Sequence, residues 1–75
     1  MSPKMFAKGN EYKATNTRTH ETFTVTCVSY KNHTVTFVDA KGNTYATNHL
    51  VDSALTYNVR ALIRSHHVYV DSKAA

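Results

Sequence analysis

Two arginines in the last quarter of the chain are the residues best suited to bind a charged ligand. Arg60 and Arg64 are four positions apart. On a helix, this spacing places two side chains on the same face. Guanidinium groups form paired hydrogen bonds with phosphates, so the pair predicts contacts with adjacent phosphates of a nucleic acid. The alternative interpretation is that both are ordinary surface charges.

Two lysines and two tyrosines extend this candidate site. Lys31 and Lys41 lie beside predicted hairpin turns, and Tyr30 and Tyr45 lie near the ends of the same hairpins. A tyrosine ring offers a face on which an unpaired base can stack, at about 1–3 kcal/mol per base. The predicted nucleic-acid-binding residues are therefore Arg60, Arg64, Lys31, Lys41, Tyr30 and Tyr45.

The overall charge suits a polyanionic partner. Nine lysines and arginines against five acidic residues give a formal net charge of +4 and a pI of about 9.4. Such a balance favours association with nucleic acid. The cations are spread along the chain, however, so the fold must bring them together. A solvated surface that only keeps the protein in solution is the competing explanation.

Catalytic and metal chemistry find little support. The five histidines show no recognised ligand spacing and have no cysteine partners. The chain has no glycine-rich phosphate loop and no nucleophile motif. Its single cysteine, Cys27, lies in a predicted strand, which indicates a buried and unreactive thiol. We expect neither enzymatic activity nor a metal or other cofactor.

The sequence predicts a cytoplasmic protein. A lone cysteine is typical of a reducing, intracellular setting. The first residues lack the apolar run of a signal peptide, and no segment is apolar enough for a membrane span. The 75 residues suffice for one small domain, for which we expect frayed ends over residues 1–5 and 72–75.

Alternating threonines and apolar residues predict antiparallel strands in the middle of the chain. Residues 22–26 and 34–37 alternate in this way. Asn32 and His33, between the two strands, belong to the residue types that tolerate positive φ, which favours a two-residue hairpin turn. The apolar parity changes near Val28, which predicts a β-bulge.

Three further strands are predicted around this hairpin. Asp39 and Gly42 suit a type I turn that is closed by a left-handed glycine and followed by a strand over 44–47. A short first strand is expected around residues 11–14, and a last strand over 67–71.

The segment between the fourth and last strands gives two conflicting patterns. Val51, Leu55, Val59 and Leu62 have helical spacing, whereas the apolar residues from Val59 onward also alternate as a strand would. Asn48 could cap a helix here and Asp52 suits its first turn, so we predict a helix from about 49 to 64.

The predicted architecture resembles that of the SH3-like small β-barrels. The resemblance rests on the two tight hairpins, on the polar loop from Thr15 to Glu21, and on the segment from Phe6 to Tyr12 that enters the first strand. The predicted fold is mainly β with one helix: a five-stranded antiparallel SH3-like barrel or curled sheet, with the helix between strands 4 and 5. The resemblance implies binding of nucleic acid, as is frequent in this group, or of a protein, as in many of its other members.

Two functions are consistent with this sequence. The first is a sequence-tolerant nucleic-acid-binding module, as its charge suggests. The second is a protein-interaction module or small protein inhibitor that uses a sheet face or an open edge strand. A homodimer that enlarges the thin core belongs to this second hypothesis.

Overall fold

The computed structural model describes residues 5–52, 55 and 58–74, which form seven antiparallel strands. The strands are β1 (Glu11–Asn16), β2 (Thr22–Lys31), β3 (Thr34–Asp39), β4 (Thr44–Thr47), β5 (Leu50–Asp52), β6 (Val59–Ile63) and β7 (Val68–Ala74). They form one sheet with the order β4-β3-β2-β1-β7-β6-β5. The sheet curls into a small, nearly closed barrel.

The chain from β4 to β5 closes the barrel. β4 pairs with β3, and β5 pairs with β6 at the other end of the sheet. At the junction the Thr47 hydroxyl donates a hydrogen bond to the Leu62 carbonyl, at 2.8 Å. The Leu62 N–H donates to the His49 carbonyl, at 2.9 Å. One continuous segment therefore joins the two ends of the sheet.

Alternate side chains of the strands point into the barrel and form a single core. Its buried apolar residues are Phe6, Tyr12, Ala14, Val25, Cys27, Val35, Phe37, Tyr45, Val59, Ala61, Ile63, Val68 and Val70. Most of the threonines take the intervening outward positions. Burying one face in this way is what period-two alternation predicts, so the predicted strands in the middle of the chain are confirmed.

The first hairpin has the predicted two-residue turn. Asn32 and His33 have φ angles of 52° and 63°, and positive φ at both central residues is the requirement of a type I′ turn. The turn sets the register so that Tyr30 lies opposite Val35. Local turn chemistry therefore fixes how β2 and β3 pair.

The predicted β-bulge is present at Val28. Cys27 pairs with Phe37, and Ser29 pairs with Thr36, so Val28 is the extra residue on β2. The bulge turns Val28 outward, where it is 40% exposed, while Cys27 is buried. The bulge lets Tyr30 pack against the core on the same side as buried Val25 and Cys27, despite its different parity.

The second hairpin also follows its sequence pattern. The Gly42 N–H donates to the Asp39 carbonyl at 3.1 Å, and Gly42 has a φ of 86°. This backbone conformation suits glycine because it has no Cβ. β4 then covers the predicted range of 44–47.

The predicted helix from 49 to 64 is wrong, because the described parts of this segment, residues 49–52, 55 and 58–64, form β5, β6 and the start of a 3-10 turn at Arg64–His66. The strand alternation prevails: Val59, Ala61 and Ile63 are all buried. They pair with β7, whose inward valines complete that side of the core.

The helical stripe, by contrast, is not a buried face. Val51 is 42% exposed and Leu55 is 93% exposed. The part of the chain that the structure describes is therefore all β, with seven strands instead of the expected five strands and one helix. It contains no helix with the length and apolarity needed to cross a membrane.

The last strand continues beyond its predicted end at residue 71. β7 extends to Ala74, and Ser72 is buried at 4% exposure. The Ser72 hydroxyl oxygen accepts a hydrogen bond from the Val59 N–H at 2.8 Å. This side chain thus satisfies a backbone donor where β6 begins.

Replacing this serine tests that bond. A Ser72→Ala substitution leaves the Val59 N–H buried without an acceptor, so we expect it to lower the free energy of unfolding by about 1–3 kcal/mol. Urea denaturation followed by circular dichroism measures the difference. The control is Ser65→Ala at an exposed position, where the change should stay within about 0.5 kcal/mol. Equal effects of the two substitutions would contradict the assigned role.

Candidate nucleic-acid interface

The six residues of the predicted site lie in three separate places. One pair is at the β2–β3 turn, one is at the β3–β4 turn, and one is on β6 and the turn after it. These pairs are Tyr30 with Lys31, Lys41 with Tyr45, and Arg60 with Arg64. The first two pairs are at opposite ends of β3, so the fold does not gather all six into one surface.

Tyr45 is mainly a structural residue. It is 8% exposed, and its hydroxyl donates to Asp39 Oδ2 at 3.0 Å. Its ring lies 5.8 Å from that of Phe23 and 5.0 Å from that of His66. Burial, followed by the hydrogen bond and charge of Asp39, raises the pKa of the Tyr45 hydroxyl. The ring is therefore already engaged in packing.

The surroundings of Lys41 do not favour a phosphate. The Asp39 carboxylate accepts hydrogen bonds from the Lys41 N–H at 2.9 Å, from the Asn43 N–H at 2.9 Å and from the Asn43 amide at 3.1 Å. Burial alone would raise the pKa of Asp39, but the hydrogen bonds from Asn43, Tyr45 and Lys41 together lower it. Glu21 lines the same pocket of about 360 Å³. Two carboxylates thus lie close to this lysine.

Tyr30 and Lys31 line a groove beside the first hairpin. The groove has a volume of about 930 Å³ and lies between residues 5–8 and residues 28–33; we call it the hairpin groove. The Tyr30 ring is half-buried, 6.4 Å from that of Phe6. Burial, then the nearby charges of Asp52 and Cys27, raise the pKa of the Tyr30 hydroxyl.

The arginine pair lies beside an aromatic ring on the outside of the barrel. The Arg60 guanidinium carbon is 5.5 Å from the centre of the Tyr69 ring, over its face. Tyr69 is paired across the strands with Leu62. Because successive strand residues point to opposite sides, Arg60 and Leu62 project outward together, and Arg64 follows as the first residue of the 3-10 turn.

A shallow pocket adjoins this ring. It has a volume of about 290 Å³, and its lining includes Thr17, Leu62, Arg64, His67 and Tyr69. The Thr17 N–H and hydroxyl both donate to the His67 carbonyl, at 2.7 and 3.1 Å. These bonds hold the loop after β1 against the turn before β7. We call the surface formed by Arg60, Leu62, Arg64, His67, Tyr69 and Thr17 the β6–β7 face.

Cations outnumber carboxylates along these two strands. Asp71 lies opposite Arg60 in the strand register and is the one acidic residue in β6 and β7. One of its oxygens accepts a hydrogen bond from the Lys73 N–H at 3.0 Å. Arg60, Arg64 and Lys73 supply three positive charges against this single negative one.

The strand geometry changes the contact predicted for the arginines. Residues four apart on a strand are separated by about 13 Å, compared with about 6 Å on a helix. Arg60 and Arg64 therefore do not point at neighbouring phosphates. Instead they lie on either side of Leu62, beside the Tyr69 ring.

Sequence reasoning missed Tyr69, Thr17 and His67 as members of this surface. A signal for Tyr69 was present: Val68 and Val70 alternate with it in the last strand. Pairing that strand with an alternating 59–63 segment would have placed Tyr69 beside the arginines. No local signal connects Thr17 with His67, because their contact depends on the closed barrel.

Comparisons with protein-family models, curated proteins and solved structures found no match for this chain. Within residues 5–52, 55 and 58–74, no three His, Cys, Asp or Glu side chains cluster closely enough to hold a metal ion.

Proposed function

We propose that this protein is a nucleic-acid-binding module that holds a single strand across the β6–β7 face. The observation that carries the proposal is the Arg60 guanidinium over the Tyr69 ring, with Arg64 on the same side of the barrel. Cations and a ring in one place satisfy both requirements of single-strand binding, backbone attraction and base stacking.

Each side chain of this face has a task. The Arg60 guanidinium, whose carbon is 5.5 Å from the centre of the Tyr69 ring, binds one phosphate, and the ring receives a base. Arg64 binds a phosphate further along the strand. Leu62, between the two, offers an apolar contact to the next base. None of these contacts depends on base identity, so the binding is tolerant of sequence.

A single strand suits this surface better than a duplex does. The Tyr69 ring is half-buried on the outer, convex face of the barrel. Bases of a duplex are stacked inside it, whereas those of a single strand can reach an outward ring.

The resemblance to SH3-like barrels adds to this proposal, because small barrels of that group often bind nucleic acid. A non-catalytic role without a cofactor and a cytoplasmic location belong to the same proposal. A protein-interaction role is supported by a different surface, the hairpin groove. A small-inhibitor role, a homodimer and pairing through an edge strand stay predictions.

Fluorescence anisotropy with labelled oligouridine and oligodeoxythymidine tests the proposal. For two phosphate contacts to a single strand, the logarithm of the affinity should fall with the logarithm of salt concentration with a slope of about −1.4. A duplex of equal length should bind more weakly. No binding of either single strand at about 50 mM salt, or an affinity independent of salt, would refute the proposed function.

A further inference from the structure

The hairpin groove combines apolar and cationic residues and shares no lining residue with the pocket of the β6–β7 face. Its apolar part comes from two exposed side chains, Met5 at 51% and Val28 at 40% exposure. Val28 is outward because it is the extra residue of the bulge in β2. Exposed apolar side chains that meet in a concave surface are typical of binding sites.

Hydrogen bonds hold the two walls of the groove in place. The Gly9 N–H donates to the Cys27 carbonyl at 2.7 Å, and the Cys27 N–H donates to the Asn10 carbonyl at 3.0 Å. The Ala7 N–H donates to the Tyr12 hydroxyl oxygen at 2.8 Å. Buried Phe6 packs its ring edge-on against that of Phe37 at 5.0 Å. The groove is thus built into the fold.

The charges of the described residues that line the groove have one sign. Lys8 and Lys31 are the charged residues among them, with His33 at the hairpin tip, and none of them is a carboxylate. Asp52 is outside the lining, although its charge reaches the Tyr30 hydroxyl. A ligand carboxylate is therefore attracted to the two lysines and repelled from the Tyr30 end.

We propose that the hairpin groove binds an extended acidic peptide of a partner protein, with an apolar side chain against Met5 and Val28 and carboxylates at Lys8 and Lys31. The exposed apolar groups are aliphatic, and the Tyr30 ring is packed against Phe6. The groove therefore offers an apolar side chain a better surface than it offers a stacked base. This binding function is separate from the proposed nucleic-acid site.

Two-dimensional amide NMR of the labelled protein tests this inference. The probes are five hexapeptides, each with two glutamates, then two identical apolar residues, then two glutamates. The apolar residue is leucine, isoleucine, valine, phenylalanine or methionine. At least one hexapeptide should change the amide chemical shifts of residues 5–8 and 28–33 and leave those of residues 60–69 unchanged. Replacing the glutamates by glutamine, or the apolar residues by serine, should weaken binding at least about tenfold.

Two matched variants separate this site from the nucleic-acid site. Lys31→Glu should weaken peptide binding at least about tenfold, while an Arg60→Glu, Arg64→Glu variant should bind the peptide as the wild type does. The inference is overturned if no hexapeptide shifts the groove amides at millimolar concentration, if the glutamine peptides bind equally well, or if oligouridine displaces the peptide from the groove. The first two results would leave the salt-dependent binding expected at the β6–β7 face unchanged.

Discussion

Reversing both arginines of the β6–β7 face is expected to weaken oligouridine binding at least about tenfold at low salt. In an Arg60→Glu, Arg64→Glu variant, two phosphate contacts are replaced by repulsion. The logarithmic salt slope should flatten from about −1.4 toward zero, because each lost contact removes about 0.7 from its magnitude. Both side chains are exposed, so the variant should fold normally. Anisotropy titrations over a range of salt concentrations measure both quantities.

A variant with the same net charge is the control for this experiment. Lys31→Glu, Lys41→Glu also changes the formal charge by −4, from +4 to zero. It reverses the two predicted lysines that the fold places away from the β6–β7 face. This control should keep the wild-type salt slope and most of the affinity. If the two double variants lose affinity equally, the binding depends on overall charge and not on the arginine face.

The hairpins could be predicted from the sequence because their signals are local. Asn32 and His33 have the side chains that positive φ requires, and the parity change near Val28 has one simple structural solution, a bulge. Each of these features involves a few neighbouring residues. Their outcome is therefore independent of where the rest of the chain packs.

The segment from 49 to 64 could not be predicted in the same way. Val51 and Leu55 complete a helical stripe, and Ala61 with its neighbours completes a strand pattern. The sequence alone does not say which strand lies beside this segment in the folded protein. In the folded protein β7 lies beside β6 and buries Val59, Ala61 and Ile63. Tertiary pairing therefore decided between two patterns of similar local strength.

The candidate site was predictable only in part, for the same reason. Residue types pointed to Arg60 and Arg64, but the close approach predicted for the two side chains depended on the helix and is lost on the strand. The neighbouring ring was missed because Tyr69 reaches Arg60 only through the pairing of β6 with β7. Lys41 and Tyr45 were selected for their position at a hairpin end, where the structure places two carboxylates. Position in the sequence did not reveal those charges.

The largest effect on stability is expected at the centre of the core. Phe37 is fully buried, and its ring makes edge-on contacts with Phe6 at 5.0 Å and Tyr12 at 6.2 Å. It thus joins β3 to β1 and to the amino-terminal segment. Removing such a ring costs about 3–5 kcal/mol through lost burial and the cavity that remains. A domain of 75 residues has a total stability of roughly 4–11 kcal/mol at typical values per residue.

A Phe37→Ala variant should therefore lose roughly a quarter or more of this stability. In a domain of this size, each kcal/mol lost from the free energy of unfolding lowers the melting temperature by about 4–8 °C. The melting temperature should therefore fall by at least about 12 °C. Val51→Ala, on the outer face of β5 at 42% exposure, is the control and should cost less than about 1 kcal/mol. Thermal denaturation followed by circular dichroism compares the two. A fall of less than about 5 °C for Phe37→Ala would mean that this ring is not central to the core. Losing a central core ring should lower the melting temperature by at least about 12 °C.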